Sequence, residues 1–498
     1  MFKSHYGYDV LALVLGMLLP LAFAPLDIYP LSIIIPSVLF WILYDSPKKL
    51  AFRRGYLFGF GLFAVGASWI YIAISDFGFT SAPVAFLLTF TFVAFLALFQ
   101  ASQALVGVIL ARGLSFGFAA FVFALCWLIF EWIRGWFMTG FPWLHLGYSH
   151  INTPLAGFAP ILGVYGLSLL SLFISASVCF FTPVKKIASS VMTVMIVGLF
   201  TGGWALTSLQ WTEKSGQPLK VAIVQASLPQ ITKWDPEQIR HRMDVYAQMS
   251  EPLWGEHDLI MWPENALTIL WQDAPLLYKT KLQDRALETS TALVIGVPYG
   301  DVDSIYHSSL IVLGEKPDVY HKRHLVPFGE YVPLPEFAKK LAGFFQLPMS
   351  GFSHGAQDQS GLEVAGYKMA PSICYEDAFG EELIDFLPEA ALLINGSNNA
   401  WYGKSWAAYQ HLQIARMRAI ETQRQSIRST TTGISALIDE YGQLTQQTKL
   451  HERAILTGTV QPLQGATLYV RWGNWPILVF MLLALGLLVV RMIRRRER

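Results

Sequence analysis

Ionisable residues are scarce in this chain: 14% of its 498 residues are charged, against about 25% in an ordinary soluble protein. The formal net charge is +1, so the broad basic surface that nucleic acid requires is missing and no nucleic-acid partner is expected. Cysteine is nearly absent. Cys126, Cys179 and Cys374 are the three, too few for a disulfide framework. Phosphate-loop and dinucleotide glycine patterns are missing, as are His/Cys groups at zinc spacing. Neither a cofactor nor a metal is expected. Internal repeats and low-complexity tracts are also absent. What fills the space left by charge is apolar, 53% of the residues.

The charge deficit is uneven. Residues 1–210 and 474–491 hold few ionisable groups, whereas 211–470 has the polar content of a soluble protein. The length argues for more than one domain. The expected organisation is a membrane domain of seven spans over 1–210, a catalytic domain over 211–470, and a final span with a basic tail over 471–498. A helical span needs about 20 apolar residues. Segments 8–24, 27–44, 55–75, 83–110, 114–133, 155–182, 187–207 and 475–491 meet or approach this, the second broken by Pro30 and Pro36. The start also reads as a signal peptide, with Lys3 before an apolar run and Ala22-Phe23-Ala24 as a cleavage site. Pro25 directly after that site favours a retained helix.

Lys and Arg in short loops set orientation. Lys48, Lys49, Arg53 and Arg54, then Arg112, then Lys185 and Lys186, then the arginines from Arg491 onward all fall on one side of an eight-span chain. That side is the cytoplasm, so both termini are cytoplasmic and 211–470 faces outward, into the periplasm of a bacterium. Cys126 and Cys179 then lie in apolar spans, where cysteine serves as a small buried hydrophobe. Cys374 is left as the one external thiol, with no disulfide partner. An oxidising compartment pairs thiols or dispenses with them, so Cys374 reads as a candidate for chemistry, beside the plainer reading of an inert buried cysteine.

In 211–470, short β-rich runs such as LKVAIVQASL (219–228), HDLIMWPE (257–264), TALVIGVPYG (291–300) and MAPSICYE (369–376) alternate with polar helical stretches. This pattern argues for an α/β layered domain with a sheet covered on both faces. Functional groups in such sheets gather past the carboxyl ends of strands. Glu264 ends one run, Cys374 ends another, and Lys322 follows a third. A carboxylate that takes a thiol proton and an ammonium that stabilises thiolate and oxyanion would complete a nucleophilic site. Separately each residue has a plainer reading: Glu264 as a cap after Pro263, Lys322 as part of a solvated basic cluster in HKRH.

Taken in order, WPE (262–264), YHKRHLVPFGEYVP (320–333) and ICYED (373–377) resemble the Glu-Lys-Cys signature of the nitrilase superfamily. LVPFGEYVP, KWDP (233–236), SNNAWYG (397–403), QHLQIARMRAIE (410–421), GASWIY (66–71) and EWIRGWFMTGFPWLHLGYS (131–149) are similar to its membrane-embedded branch, the bacterial apolipoprotein N-acyltransferases. The resemblance covers nearly the whole chain. Asn399, His307 and Thr431 depart from the pattern, where aspartate, asparagine and asparagine are usual. These departures bear on loop geometry and substrate detail.

The resemblance implies an αββα sandwich on a multi-span helical base. It implies Cys374 as nucleophile, Glu264 as general base and Lys322 as oxyanion stabiliser, helped by the backbone N–H of Tyr375. Glu330 would hold Lys322, with Trp234, Tyr375 and Glu376 supporting. The implied reaction moves an sn-1 acyl chain from a phospholipid, typically phosphatidylethanolamine, through a Cys374 thioester to the α-amino group of an apolipoprotein's S-diacylglyceryl cysteine. The enzyme would be a monomer in the inner membrane. Arg134, Trp143 and Trp401 are candidate lipid contacts, and 342–345 with 347–355 form a candidate lid. A membrane-anchored nitrilase-type hydrolase is the nearest alternative, with water as acceptor. A transporter is the more distant one; it would place ionisable groups at span centres, whereas Asp9, Asp76, Glu131 and Arg134 fall at span ends.

Overall fold

The computed structural model describes residues 5–78, 80–181, 186–300, 305–331 and 351–496. The chain divides into two compact units: Met1–Ile70 with Phe86–Leu209 and Arg471–Arg498, and Tyr71–Ala85 with Gln210–Val470.

The first unit is helical. Ala82–Leu110, Phe116–Arg134, Pro154–Val178, Lys186–Leu206 and Trp475–Arg494 are long and apolar enough to cross a bilayer. Lys48–Gly66 and Ile70–Phe77 are long and apolar enough only as a pair bent by 60°. The first two expected spans are shorter helices, Tyr6–Ala22 and Leu31–Leu43. The first ends in a 3₁₀ turn, Leu19–Ala22, that holds Pro20; the second starts after Pro30 and runs unbroken through Pro36. All eight expected segments are helical, but a count of eight crossings rests on three that are short or bent.

Glu131 and Arg134, buried in this unit, are hydrogen-bonded, as a low-dielectric interior demands. The Glu131 carboxylate accepts from the Ser168 hydroxyl, the Leu146 N–H at 3.1 Å and Trp127 Nε1 at 3.3 Å. Arg134 donates to the carbonyls of Phe141 at 2.5 Å and Trp143 at 2.6 Å.

The second unit is built on two six-stranded sheets. Its strands are β1 Leu219–Gln225, β2 Leu259–Met261, β3 Ala292–Gly300, β4 Tyr306–Leu313, β5 Asp318–His321, β6 Leu362–Val364, β7 Tyr367–Ile373, β8 Leu392–Ser397, β9 Ser426–Thr430, β10 Ala436–Ile438, β11 Leu444–Gln447 and β12 Ala454–Val460. The first sheet runs β12-β1-β2-β3-β4-β5 and the second β11-β10-β9-β8-β7-β6. β1, β2 and β3 are mutually parallel, as are β7, β8 and β9.

Alternation along the strands builds the layers. Val221 and Ile223 of β1 pack with Met369, Ile373, Leu392 and Ile394 of the other sheet. Ala222 and Val224, between them, turn to the opposite face and meet Met243, Tyr246 and Leu282 of helices Pro236–Ser250 and Leu276–Glu288. Helix Ala407–Thr422 covers the far face of the second sheet through Leu412, Ala415 and Ala419, against Ala436 and Ile438. The order is helix, sheet, sheet, helix. Strands apolar on both faces are what this layering needs.

Candidate active site

Glu264 lies three residues beyond β2, in a segment squeezed by both sheets. A Cβ added to Gly296 of β3 would sit 2.6 Å from Glu264 Cα, and one on Gly396 of β8 would sit 3.3 Å from Glu264 N. Only hydrogen fits at Gly296. Trp262 anchors the approach, donating from Nε1 to Ser250 Oγ at 2.9 Å. The carboxylate that results is 3% exposed.

Lys322 is the first residue after β5, and its N–H donates to Ser308 O at 2.8 Å. The side chain is fully buried. Nζ donates to Glu330 Oε1 at 2.7 Å and to Glu264 Oε1 at 3.4 Å. Glu330 is itself held, because its second oxygen accepts the Val326 N–H at 2.8 Å. Phe328 makes this tight loop in the left-handed region, at φ 62°. Burial alone would lower the Lys322 pKa, but Glu330, Glu264 and Cys374 outweigh it and hold the ammonium well above the ordinary lysine range. Burial raises the Glu330 carboxyl; Lys322 opposes the rise and Glu264 adds to it.

Cys374 follows β7 with φ 53°, a left-handed conformation that costs a non-glycine residue free energy and clusters at functional sites. Contacts on both sides hold it there. The Ile373 N–H donates to Glu376 Oε2 at 2.7 Å. His411 Nε2 lies 3.0 Å from the Cys374 carbonyl, and Asn399 Nδ2 lies 2.9 Å from His411 Nδ1. A carbonyl only accepts, so Nε2 carries the proton and Nδ1 takes the Asn399 N–H. Burial, then Arg428, keeps this imidazole well below the ordinary histidine range and neutral. Burial raises the Cys374 thiol far above its usual pKa, and Glu264 adds to the effect. Lys322 and a backbone N–H from Asn398 pull the other way without prevailing. At rest the sulfur keeps its proton.

Glu376 ties the lysine and cysteine strand ends together. Its Oε1 accepts from the Arg323 N–H at 2.6 Å, the His324 N–H at 3.0 Å and the Tyr320 hydroxyl at 2.9 Å, while Oε2 takes Ile373. Burial, against Lys322 and these donors, lifts its pKa to about 7. The Tyr375 ring sits edge-on to Phe379 at 5.1 Å. Trp234 and Trp401 pack on Leu325 and Phe352 with Tyr306 and Tyr331, an apolar cluster to which the loop carrying Lys322 and Glu330 contributes Leu325 and Tyr331.

The expected residues therefore converge in part. Lys322 joins Glu264 and Glu330 directly, and Cys374 lies within reach of the charges of all three. Arg134 and Trp143, expected at a lipid surface, are instead 3% and 2% exposed and belong to the interior of the first unit. Within the expected lid, 342–345 and 347–350 lie outside the described residues. Among the departures, His307 Nδ1 sits 2.8 Å from Ser353 O, and the Thr431 hydroxyl donates to Asn398 Oδ1 at 2.6 Å. Sequence reasoning missed the support under Cys374: His411, Asn399, and Arg428, which donates to Asp377 at 2.5 Å. It also missed Lys233, buried beside Glu264. His411, Asn399 and Lys233 lie in blocks already singled out and Arg428 does not, and a polar residue carries no sequence mark of burial.

An αββα sandwich with a buried acid, amine and thiol past its strand ends defines the carbon-nitrogen hydrolase class, and the carbon-nitrogen hydrolase family model matches residues 220–467. A second model, the apolipoprotein N-acyltransferase N-terminal domain, matches residues 15–177. Apolipoprotein N-acyltransferases of Azotobacter vinelandii (42% identical, over 98% of this chain and 96% of theirs), Coxiella burnetii (38%, 95% and 99%) and a Pseudomonas aeruginosa strain (40%, 98% and 97%) align along nearly the full length. The chain belongs to the apolipoprotein N-acyltransferases, acyltransferase enzymes of lipoprotein maturation. Among solved structures, a carbon-nitrogen hydrolase from Helicobacter pylori matches at 16% identity and TM-score 0.36, over 49% of this chain and 89% of that one.

Proposed function

We propose that the enzyme transfers an acyl chain in two half-reactions through Cys374. In the first, Glu264 takes the thiol proton as the sulfur attacks the sn-1 ester of a phospholipid, phosphatidylethanolamine being the expected donor. Lys322 and the Tyr375 N–H stabilise the oxyanion, and a lysophospholipid leaves with the proton from Glu264. In the second, the α-amino group of an apolipoprotein's S-diacylglyceryl cysteine attacks the thioester and releases the thiol. Glu330 holds Lys322 charged throughout, and Glu376 fixes the lysine loop against the cysteine. The catalytic unit, 211–470, faces the periplasm on an inner-membrane base with both termini cytoplasmic, and the enzyme works as a monomer.

One observation carries this reading: the fully buried Lys322 is shared by Glu330 at 2.7 Å and Glu264 at 3.4 Å, with Cys374 within reach of the charges of all three. Two carboxylates on one cation keep it charged for an oxyanion while the other carboxylate serves the thiol. Whole-protein mass spectrometry after incubation with phospholipid tests it. Cys374 should gain acyl mass that persists until a diacylglyceryl-cysteine peptide is added. Adduct that decays equally fast without the peptide supports hydrolysis instead, and a thiol that never gains acyl mass refutes the route.

A further inference from the structure

The two half-reactions differ in proton count. Moving an acyl group from an ester to a thiol is balanced: the thiol proton ends on the departing alcohol, and Glu264 alone can carry it. The second half is not balanced. An α-amino group has an ordinary pKa of about 8, so near neutral pH the acceptor arrives largely as an ammonium with three protons on nitrogen. The amide product keeps one. Of the two lost, one returns to the Cys374 sulfur and the other is surplus. Glu264 holds one proton at a time, so the surplus proton goes either to solvent before the amine binds or to a second acceptor in the site.

Lys233, in the turn before helix Pro236–Ser250, has the properties of that acceptor. It is 2% exposed, and the nearest acceptor to its Nζ is the Glu264 carbonyl, 3.5 Å away. Among the described residues no carboxylate lies within ion-pair distance of it, in contrast to Lys322 with two. A buried ammonium without a counter-ion is costly, so such a lysine gives up its proton more readily than an exposed one and can present a lone pair. The charged and titratable groups that face it are Glu264, Arg242 and Cys374. Burial brings its pKa down to about 7, with Glu264 raising it, Arg242 lowering it and Cys374 raising it. One buried lysine is thus held as a cation and its neighbour is poised to take or release a proton.

We propose that Lys233 is the second base of this site and takes the surplus proton of the acceptor ammonium, an assignment that rests on the two-step reading above. Glu264 removes the first proton from the ammonium nitrogen and passes it through one bridging water to Lys233 Nζ, which becomes an ammonium. The freed nitrogen lone pair forms the C–N bond at the thioester carbon, and the carbonyl π pair moves to oxygen. The restored Glu264 carboxylate takes the second nitrogen proton. As the oxyanion collapses, the C–S bond breaks and the sulfur receives that proton. Lys233 then releases its own to water.

Single-turnover kinetics on the full-length detergent-solubilised enzyme separate the steps. Wild type, Lys233→Met and Lys233→Arg are acylated with phospholipid, then chased with a diacylglyceryl-cysteine peptide between about pH 6 and about pH 9, a range spanning the α-amino pKa. Both variants should acylate within about threefold of wild type, yet release acyl to the peptide about 10- to 100-fold more slowly near neutrality, the span of one proton-transfer group. The defect should shrink as pH rises past about 8, where the acceptor arrives already neutral. Arginine should not rescue, because a guanidinium stays protonated. Rescue by arginine would assign Lys233 a cationic role and overturn the proposal. So would equal losses in both half-reactions in both variants, or a defect that does not change with pH. If wild-type Cys374 never gains acyl mass, the two-step reading fails first and this assignment falls with it.

Discussion

Replacing Glu330 with glutamine removes one negative charge and keeps the side-chain shape. Two donors point at the carboxylate: Lys322 Nζ at 2.7 Å on one oxygen and the Val326 N–H at 2.8 Å on the other. An amide has one oxygen. In either orientation its NH₂ group meets a donor, so one of the two contacts is lost. If Val326 keeps the oxygen, Lys322 loses its closest acceptor and leans on Glu264 alone, at 3.4 Å. The base is then bound to the cation and takes up the thiol proton less readily. A hydrogen bond to a charged group contributes about 1.5–3 kcal/mol. Lost in the transition state, that slows acylation about 10- to 150-fold. The assay is the rate at which Cys374 gains acyl mass in phospholipid–detergent micelles, with thermal unfolding measured in parallel to separate catalysis from folding. Acylation within about twofold of wild type would refute the reasoning, because it would mean that Lys322 needs no second carboxylate.

Three further outcomes follow from the same geometry. Iodoacetamide should alkylate resting Cys374 more slowly than a free thiol at neutral pH, with a rate still rising above the ordinary thiol range, because its raised pKa keeps the thiolate fraction small; a plateau below about pH 8 would contradict this. Gly296→Ala should push the Glu264 segment out of place and cut acylation at least tenfold, since its Cβ would lie 2.6 Å from Glu264 Cα; an unchanged rate would show that the segment yields freely. His411→Leu should lower unfolding stability by about 1–3 kcal/mol by leaving a buried carbonyl unbonded, and an unaltered denaturation midpoint would remove His411 from the support of Cys374.

What was legible in the sequence follows the logic of strand ends. Glu264 and Cys374 close apolar runs, so alternation and punctuation alone placed them past the ends of β2 and β7. Lys322 was half legible. Its position after a strand was readable, but HKRH has the look of a solvated face, and only the fold shows that Lys322 is fully buried while its neighbours are tied down separately. Arg323 donates to Asp385 at 3.0 Å and His324 faces Glu382 at 2.7 Å. Glu376, two residues after the cysteine, supports both strand ends: one oxygen serves the Arg323 and His324 N–H groups past β5, and the other takes the Ile373 N–H of β7. His411 and Asp377 were not legible as a pair. They are 34 positions apart in the chain, and the 3.8 Å between them exists only after helix Ala407–Thr422 has packed. Arg134 was misread for a related reason: a span-end arginine suits a lipid phosphate, but the turn after the helix offers carbonyls that are closer.

The protonated resting state of Cys374 bears on its survival as well as its reactivity. A thiolate exposed to an oxidising compartment is the form that reacts with oxidants, and on the proposed periplasmic placement Cys374 has no resolving cysteine. Burial and two facing carboxylates hold the sulfur as a thiol, while Lys322, which would favour the thiolate, is largely neutralised by those same carboxylates. The nucleophile then forms only when Glu264 takes the proton with an ester carbonyl in place to receive the sulfur. A pre-formed thiolate beside an unpaired lysine would react faster with any electrophile, lipid ester and peroxide alike. Sharing Lys322 between Glu264 and Glu330 gives up that general reactivity for one that depends on bound substrate. Glu330→Gln should therefore do two things at once: slow acylation and make the resting thiol more open to alkylation, because a carboxylate that opposed the thiolate is gone and Lys322 is less neutralised. Acylation and alkylation that both slow would point to a collapsed site instead.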